Sequence, residues 1–391
     1  MTPEVEISSS KSLVNRYLIL REGYENLKLD WKSEAEDVLN LKEALSASPG
    51  SKEYYLGEGG TTLRFFVIYL STYSGEWVLK CKSSLLDRPQ LELIQTVEKL
   101  GASLERIDSE TLILKSQGWQ VSEITLATKT TTQVLTALVL ASLARSKNFK
   151  IGFDAASISS DYFKLTLDFV RSLGFEIEFS SDGVFIPENQ NTNLGFKSFI
   201  ESDWSSAAFL FVLAALKGSV KVRGLSKNSF QPDSVVIDEL KSIGAKSESD
   251  FYIEKGSLPY SGFKVDLKKS PDLFPVLCAL ACFCEGESVL FGAPQLRNKE
   301  TDRIFEMTKL IRKCGYEVTE LQDGIRVVGA GLEILDREKI HFDVSKDHRL
   351  YMASEILRAM GYNIIAEGAR SIRKSFPEYE ELKEGKLKCF F

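Results

Sequence analysis

The amino-acid sequence predicts a mixed α/β protein (α+β within its units) of two domains, built from repeated helix–sheet units whose helices lie inside. Three observations predict this. The chain has 391 residues, too many for one ordinary hydrophobic core. A pattern of amphipathic helix, apolar residue, glycine and strand recurs along it. A second kind of segment, apolar on every side, interleaves with the first.

The glycine pattern appears at Leu100-Gly101, Leu173-Gly174, Ile243-Gly244, Cys314-Gly315 and Met360-Gly361. The first four lie about 70 residues apart, a period long enough to mark a multi-copy architecture. A glycine just past a helix end closes it in the left-handed conformation. After each of these four a hairpin is expected, turning at Asp108-Ser109, Asp182-Gly183, Ser249-Asp250 and Asp323-Gly324.

The apolar segments are TTLRFFVIYL from Thr61, TTTQVLTALVLASLA from Thr130, SSAAFLFVLAAL from Ser205, PDLFPVLCALACF from Pro271 and DHRLYMASEILRAMG from Asp347. A helix apolar all round belongs in a domain interior. The unit is therefore a buried helix, strands, a surface helix and a hairpin, with sheets outside. The starts of the inner helices then share one face. Free N–H groups and the dipole make such a face receptive to anions.

Composition narrows the function. Hydrophobic residues make up 43% and charged residues 27% of the chain, a soluble globular balance. The net charge of -6 disfavours nucleic acid as a partner, so an anionic substrate needs a local basic cluster. No apolar run approaches a membrane span. The N-terminal MTPEVEISSS lacks the basic and apolar regions of a secretory leader, which points to the cytoplasm. The six cysteines show no zinc-ligand spacing and read as reduced, mostly buried thiols. Two histidines, His341 and His348, exclude a histidine-rich metal site.

Six short segments carry chemical potential. KSLVNR (Lys11 to Arg16) places a lysine and an arginine near a helix start. GEGGTTLRF (Gly57 to Phe65) is a glycine-rich turn entering a buried helix, where backbone N–H groups can approach a ligand. DRP (Asp87 to Pro89) precedes a surface helix. LRNKETDRI (Leu296 to Ile304), KDHRL (Lys346 to Leu350) and RKSFPEYEEL (Arg373 to Leu382) complete the set.

In order and spacing these segments resemble the enolpyruvyl transferase family, in the branch that acts on shikimate 3-phosphate. The resemblance runs from about residue 10 to residue 380 and is most specific in G-x-x-G-T-x-x-R, K-E-T-D-R, D-H-R and K-x-F-P. It implies two domains of three repeats each, an inside-out α/β barrel with parallel buried helices. The expected bounds are 11–200 for the shikimate-phosphate side and 1–10 with 201–391 for the other, with the site in a cleft between them that closes on substrate. The polar stretch Glu188 to Phe196 precedes the second crossing.

The implied reaction joins phosphoenolpyruvate to shikimate 3-phosphate by addition and elimination, with no metal and no organic cofactor, in a chain expected to be monomeric. Asp272, Glu300 and Lys11 are the implied catalytic groups. Shikimate 3-phosphate is expected on Lys11, Ser12, Arg16, Thr131, Thr132, Gln133, Ser159, Tyr162, Asp272, Gln295 and Lys299. Phosphoenolpyruvate is expected on Lys11, Gly60, Arg88, Gln133, Arg303, His348, Arg349 and Lys374. Arginine suits such a clamp because its planar fork meets carboxylate and phosphate bidentately. Arg297 and Asp302 are expected to brace the KETDR segment.

The chain departs from the family pattern in places. Ser8-Ser9-Ser10 replaces a usual Pro-Gly-x, and Glu58, Phe65, Gln295 and Tyr351 replace commoner residues. None of these removes an acid, a base or a phosphate clamp. Two rival readings remain: a UDP-N-acetylglucosamine enolpyruvyl transferase and a non-catalytic ligand-binding relative. The first typically carries a cysteine on a loop five residues before an Arg-Pro. Here Cys81 stands seven before Arg88 and follows an apolar strand.

Overall fold

The computed structural model describes residues 2–126, 132–153, 161–188, 190, 199–336 and 338–391. One strand order recurs through it. Strand Glu53–Gly57 pairs parallel with Ser74–Cys81, which pairs antiparallel with Thr111–Gln117, itself antiparallel to Ala102–Arg106. Glu123–Leu126, Phe149–Phe153, Gly183–Ile186 and Glu178–Ser180 repeat that order, as do Lys264–Asp266, Cys284–Phe291, Gly324–Ala330 and Glu317–Leu321.

A parallel pair needs a crossover, and the apolar segments supply it. Helix Gly60–Leu70 joins the first pair and Gln133–Ala144 the second. Helix Phe274–Cys282 joins the third, after a tight helical turn at Pro271–Leu273. Two shorter versions use Trp204–Lys217, beside the parallel strands Glu4–Glu6 and Ser219–Arg223, and His348–Ala359, between Ile340–Asp343 and Ile364–Glu367. The chain is a mixed α/β protein of repeated units with helices inside, as the periodicity predicts.

Helices Gln133–Ala144 and Phe274–Cys282 are buried because they carry no charged residue. Every residue from Val134 to Ala144 is buried, and so is every residue of Phe274–Cys282. Each large apolar side chain removed from water contributes about 1.5–3 kcal/mol. A sixth buried helix, Lys11–Arg21, was legible only as a helix start, because Lys11, Asn15 and Arg16 interrupt its apolar run; Leu13 to Leu20 are nonetheless buried. All five helix-ending glycines adopt positive φ, between 88° and 116°. A side chain there would be strained. The hairpin expected at Ser249-Asp250 shrinks to a single bridge between Lys246 and Glu254. The polar run from Lys246 to Asp250 offers no apolar face to pin a strand.

Contacts divide the chain into two compact units, Ser9–Ile200 and Met1–Ser8 with Glu201–Phe391. In the first, Lys11–Arg21, Gly60–Leu70 and Gln133–Ala144 pack on one another; in the second, Trp204–Lys217, Phe274–Cys282 and His348–Ala359 do. The backbone changes allegiance between Ser8 and Ser9. Ser8 is held by the Glu378 carboxylate through its N–H and hydroxyl, whereas the Ser9 N–H donates to the Lys32 carbonyl at 2.7 Å. The stretch Glu188 to Phe196 lies largely outside the described residues. No described helix is long and apolar enough to cross a membrane.

Candidate active site

In the first unit the helix starts gather the cations Lys11, Arg16 and Arg64. Lys11 opens its helix and donates to Asp37 at 2.9 Å. Asp37 stands in the first turn of helix Glu36–Ser46, and its backbone carbonyl takes the Thr62 hydroxyl at 2.8 Å. Arg16, one turn beyond Ser12, is 5% exposed. It donates to the Ser12 carbonyl at 2.6 Å, to Thr166 Oγ1 at 2.9 Å and to the Tyr162 carbonyl at 3.1 Å. None of these three acceptors is charged.

Arg64 is treated the same way. Its Nη1 donates to Gln133 Oε1 at 2.9 Å and to the Gly60 carbonyl at 3.2 Å, and its Nη2 to the Pro89 carbonyl at 3.2 Å. Gln133 Nε2 reaches Thr61 Oγ1 at 3.3 Å. Gly60 has a close-approach role: a Cβ there would lie 2.7 Å from Arg64 Nη1 and 3.0 Å from Arg88 Nη1. Thr132 caps helix Gln133–Ala144 by position. Thr131 and Ser159 lie outside the described residues.

The second unit concentrates charge of both signs. Arg303, 2% exposed, opens helix Arg303–Lys313 and points its fork at three carboxylates. Nε donates to Asp347 Oδ2 at 2.8 Å, Nη1 to Asp272 Oδ1 at 2.9 Å and Nη2 to Glu300 Oε2 at 2.9 Å. Arg349 Nη2 donates to Asp272 Oδ2 at 3.0 Å, and Lys299 lies 3.5 Å from Asp272 Oδ1. Lys374, 3% exposed, lies 3.8 Å from Glu300 Oε1. His348 is buried beside Arg349 in the same helix start, and Gln295 lies in the short turn Pro294–Asn298.

Capping residues hold this cluster in place. Asp347, 0% exposed, caps helix His348–Ala359 by accepting from the Arg349 N–H at 3.0 Å while it binds Arg303. Asp302 caps the helix of Arg303 through the Phe305 N–H at 3.0 Å and takes Arg297 at 2.9 Å. Arg297 and Asp302 thus brace the segment, as expected. The importance of Asp37, Arg64 and Asp347 was not assigned from sequence. Arg64 and Asp347 stood inside quoted motifs, whereas Asp37 carried no local signal.

Electrostatics separates the carboxylates. Burial pushes the Asp272 carboxyl up, but Arg349, Lys299 and Arg303 outweigh it and hold it well below the usual carboxylate range, against the charge of Glu300. Burial also opposes the Arg303 charge, yet Asp347, Glu300 and Asp272 raise its pKa above the ordinary arginine value. Such an array can grip anionic groups and move protons, provided an anion displaces some internal pairs. The Cys81 thiol is buried and pushed up to about 12 by that burial, so it is no nucleophile at neutral pH.

Comparison with known proteins follows the same lines. The sequence profile described as EPSP synthase (3-phosphoshikimate 1-carboxyvinyltransferase) matches residues 21–382. The chain is 28% identical to the 3-phosphoshikimate 1-carboxyvinyltransferase of Haemophilus ducreyi, over 96% of this chain and 94% of that enzyme. It is 29% identical to the enzyme of that name from Aliivibrio salmonicida, over 89% of this chain and 82% of that one. Its fold matches the solved EPSP synthase from Acinetobacter baumannii with a TM-score of 0.72 at 22% identity, covering 98% of this chain and 95% of the other. It also matches the enolpyruvyl transferase NikO from Streptomyces tendae with a TM-score of 0.66 at 12% identity, covering 97% and 94%.

Proposed function

The chain belongs to the EPSP synthase family, and from that premise we propose how its side chains divide the work of one reaction. The enzyme transfers the enolpyruvyl group of phosphoenolpyruvate to the 5-hydroxyl of shikimate 3-phosphate, releasing phosphate and 5-enolpyruvylshikimate 3-phosphate. A proton added to C3 makes C2 of phosphoenolpyruvate electrophilic. The 5-oxygen bonds to C2 and sheds its proton. The tetrahedral adduct then loses a proton from C3 as the bond between C2 and the phosphate oxygen breaks.

Glu300 is the group assigned to C3, first as acid and then as base. Asp272 is assigned to the 5-hydroxyl. Three cations now suppress the basicity of Asp272. When an anionic substrate draws Arg349 and Lys299 toward itself, that basicity rises where it is needed. Lys11, Gly60, Arg88, Gln133, His348, Arg349 and Lys374 are assigned to phosphoenolpyruvate. Lys11, Ser12, Arg16, Thr131, Thr132, Gln133, Ser159, Tyr162, Gln295 and Lys299 are assigned to shikimate 3-phosphate. Arg303 is assigned to the phosphoenolpyruvate clamp as well. Its three carboxylate partners support a further role, holding Asp272 and Glu300 at fixed positions.

The observation that carries these roles is the single network joining Asp272, Glu300, Lys299, Arg303, Arg349 and Lys374 inside the matched family region. Buried, protonated Cys81 argues against the UDP-N-acetylglucosamine reading. We also propose a cytosolic monomer that binds neither nucleic acid nor membrane. All six cysteines are free thiols, and the net charge of -6 repels polyanions. A phosphate-release assay with phosphoenolpyruvate and each acceptor tests the assignment. Turnover with shikimate 3-phosphate and none with UDP-N-acetylglucosamine is expected; the reverse overturns it.

A further inference from the structure

Helix His348–Ala359 carries Arg349 at its start and, further along, a buried carboxylate that the reaction scheme does not use. Glu355 is 0% exposed. Its Oε2 accepts from the Tyr379 hydroxyl at 2.7 Å and pairs with the Lys383 ammonium, while Arg358 pairs with Oε1. One turn earlier, Tyr351 donates to Glu380 Oε1 at 2.7 Å and meets the Tyr379 ring edge-on, with centroids 5.8 Å apart. Tyr351, Glu355 and Arg358 stand at i, i+4 and i+7, on one face of their helix. Their partners Tyr379, Glu380 and Lys383 all belong to the short helix Tyr379–Glu384.

That short helix begins five residues after Lys374. Lys374 ends the turn Ala369–Lys374, which packs on helix His348–Ala359. Between Lys374 and the short helix, the buried Phe376 donates its N–H to the Ile372 carbonyl at 2.8 Å, and the Tyr379 N–H reaches the Phe376 carbonyl at 3.2 Å. The Lys374 ammonium lies 3.8 Å from Glu300 Oε1, too far for a hydrogen bond. The backbone that carries Lys374 therefore sets where its charge sits.

We propose that Glu355 is a positioning residue for enolpyruvyl transfer: by locking the helix that follows Lys374 onto the helix that carries Arg349, it fixes the spacing of these two cations in the phosphoenolpyruvate clamp. This inference rests on the assignment of Lys374 and Arg349 to that substrate. Burying a carboxylate is unfavourable, and apolar side chains of similar volume often stabilise a fold as well or better. Directed bonds from Glu355 to Tyr379 and Lys383 supply what apolar contact lacks, a single register between the two helices. Burial and the Glu355 charge push the Tyr379 hydroxyl far above the ordinary tyrosine value, so it remains a donor.

The test is a double-mutant cycle on kcat/KM for phosphoenolpyruvate. Glu355→Gln keeps the shape of the side chain and removes its charge. It should lower kcat/KM about tenfold, through the KM for phosphoenolpyruvate, and change the KM for shikimate 3-phosphate by less than about twofold. In a Lys374→Ala background the same change should cost less than about twofold, because the group it positions is gone. A tenfold loss that persists without Lys374 overturns the proposal, as does a lower kcat with both KM values unchanged. If Glu355→Gln does not fold, Tyr379→Phe removes one bond and keeps the ring. The same pattern is then expected at about threefold, again cancelled by Lys374→Ala.

Amide hydrogen exchange read by mass spectrometry needs no turnover. In Glu355→Gln, or in Tyr379→Phe, residues 375–384 should exchange faster than in the unaltered protein, while helix Gln133–Ala144 keeps its rate. Unchanged exchange over 375–384 overturns the anchor. Faster exchange there, in a protein whose unaltered form releases no phosphate from phosphoenolpyruvate and shikimate 3-phosphate, leaves the anchor standing and counts against the assigned reaction instead.

Discussion

The two units share one helix–sheet repeat, but the described contacts of their buried arginines differ in kind. In Ser9–Ile200, Arg16 and Arg64 spend their donors on hydroxyl, amide and carbonyl oxygens. Their formal charge is not cancelled by those contacts. In Glu201–Phe391, Arg303, Arg349, Lys299 and Lys374 all face carboxylates. The first arrangement suits standing attraction of a phosphate. The second is self-paired and suits a clamp that exchanges internal carboxylates for substrate anions.

The largest expected effect attacks that contrast directly. Arg303→Met leaves Asp347, 0% exposed, without its main cation, and denaturant unfolding should show a loss of about 3–5 kcal/mol. Arg16→Met loses only neutral acceptors and should cost about 1–3 kcal/mol. Equal losses would break the comparison. Next come Arg349→Ala and Lys374→Ala, each expected to lower kcat/KM for phosphoenolpyruvate by about 10²–10³. Steady-state kinetics near the unaltered value for either would remove it from the clamp.

A smaller effect is expected at Gly60→Ala. The added Cβ meets two arginine termini rather than backbone. Flexible ends can yield, so the fold should persist, while the KM for phosphoenolpyruvate rises about tenfold as Arg88 is displaced. An unchanged KM would show that Arg88 works elsewhere. The smallest effect is an acid limb of stability. Because the folded-state pKa of Asp272 is depressed, its contribution is present above its unfolded value near 4 and is lost as pH falls through the folded value. Urea midpoints between pH 2 and pH 6 should show that limb, and Asp272→Asn should remove its share.

How much of this was legible in the sequence depends on distance along the chain. The buried helices Gln133–Ala144 and Phe274–Cys282 announce themselves because an uninterrupted apolar run has nowhere else to go. The five capping glycines are equally local signals. Helix Lys11–Arg21 hides its burial because the polar side chains of Asn15 and Arg16 are buried along with its apolar ones. Motif resemblance singled out Lys299, Arg303, Arg349, Lys374, Asp272 and Glu300, which the fold joins in one network. It did not show that Arg303 meets Asp347, 44 residues later, or that Lys11 meets Asp37, 26 residues later.

Under the proposed assignment, Glu300 and Asp272 move protons while the cationic clamp holds the anions. Turnover in deuterated water, read by mass and NMR spectra of the product, tests it most directly. Deuterium should appear at the vinyl methylene of 5-enolpyruvylshikimate 3-phosphate, and Glu300→Gln should suppress both incorporation and phosphate release. Phosphate release at the normal rate by Glu300→Gln, or product formed with no deuterium on that carbon, would contradict it.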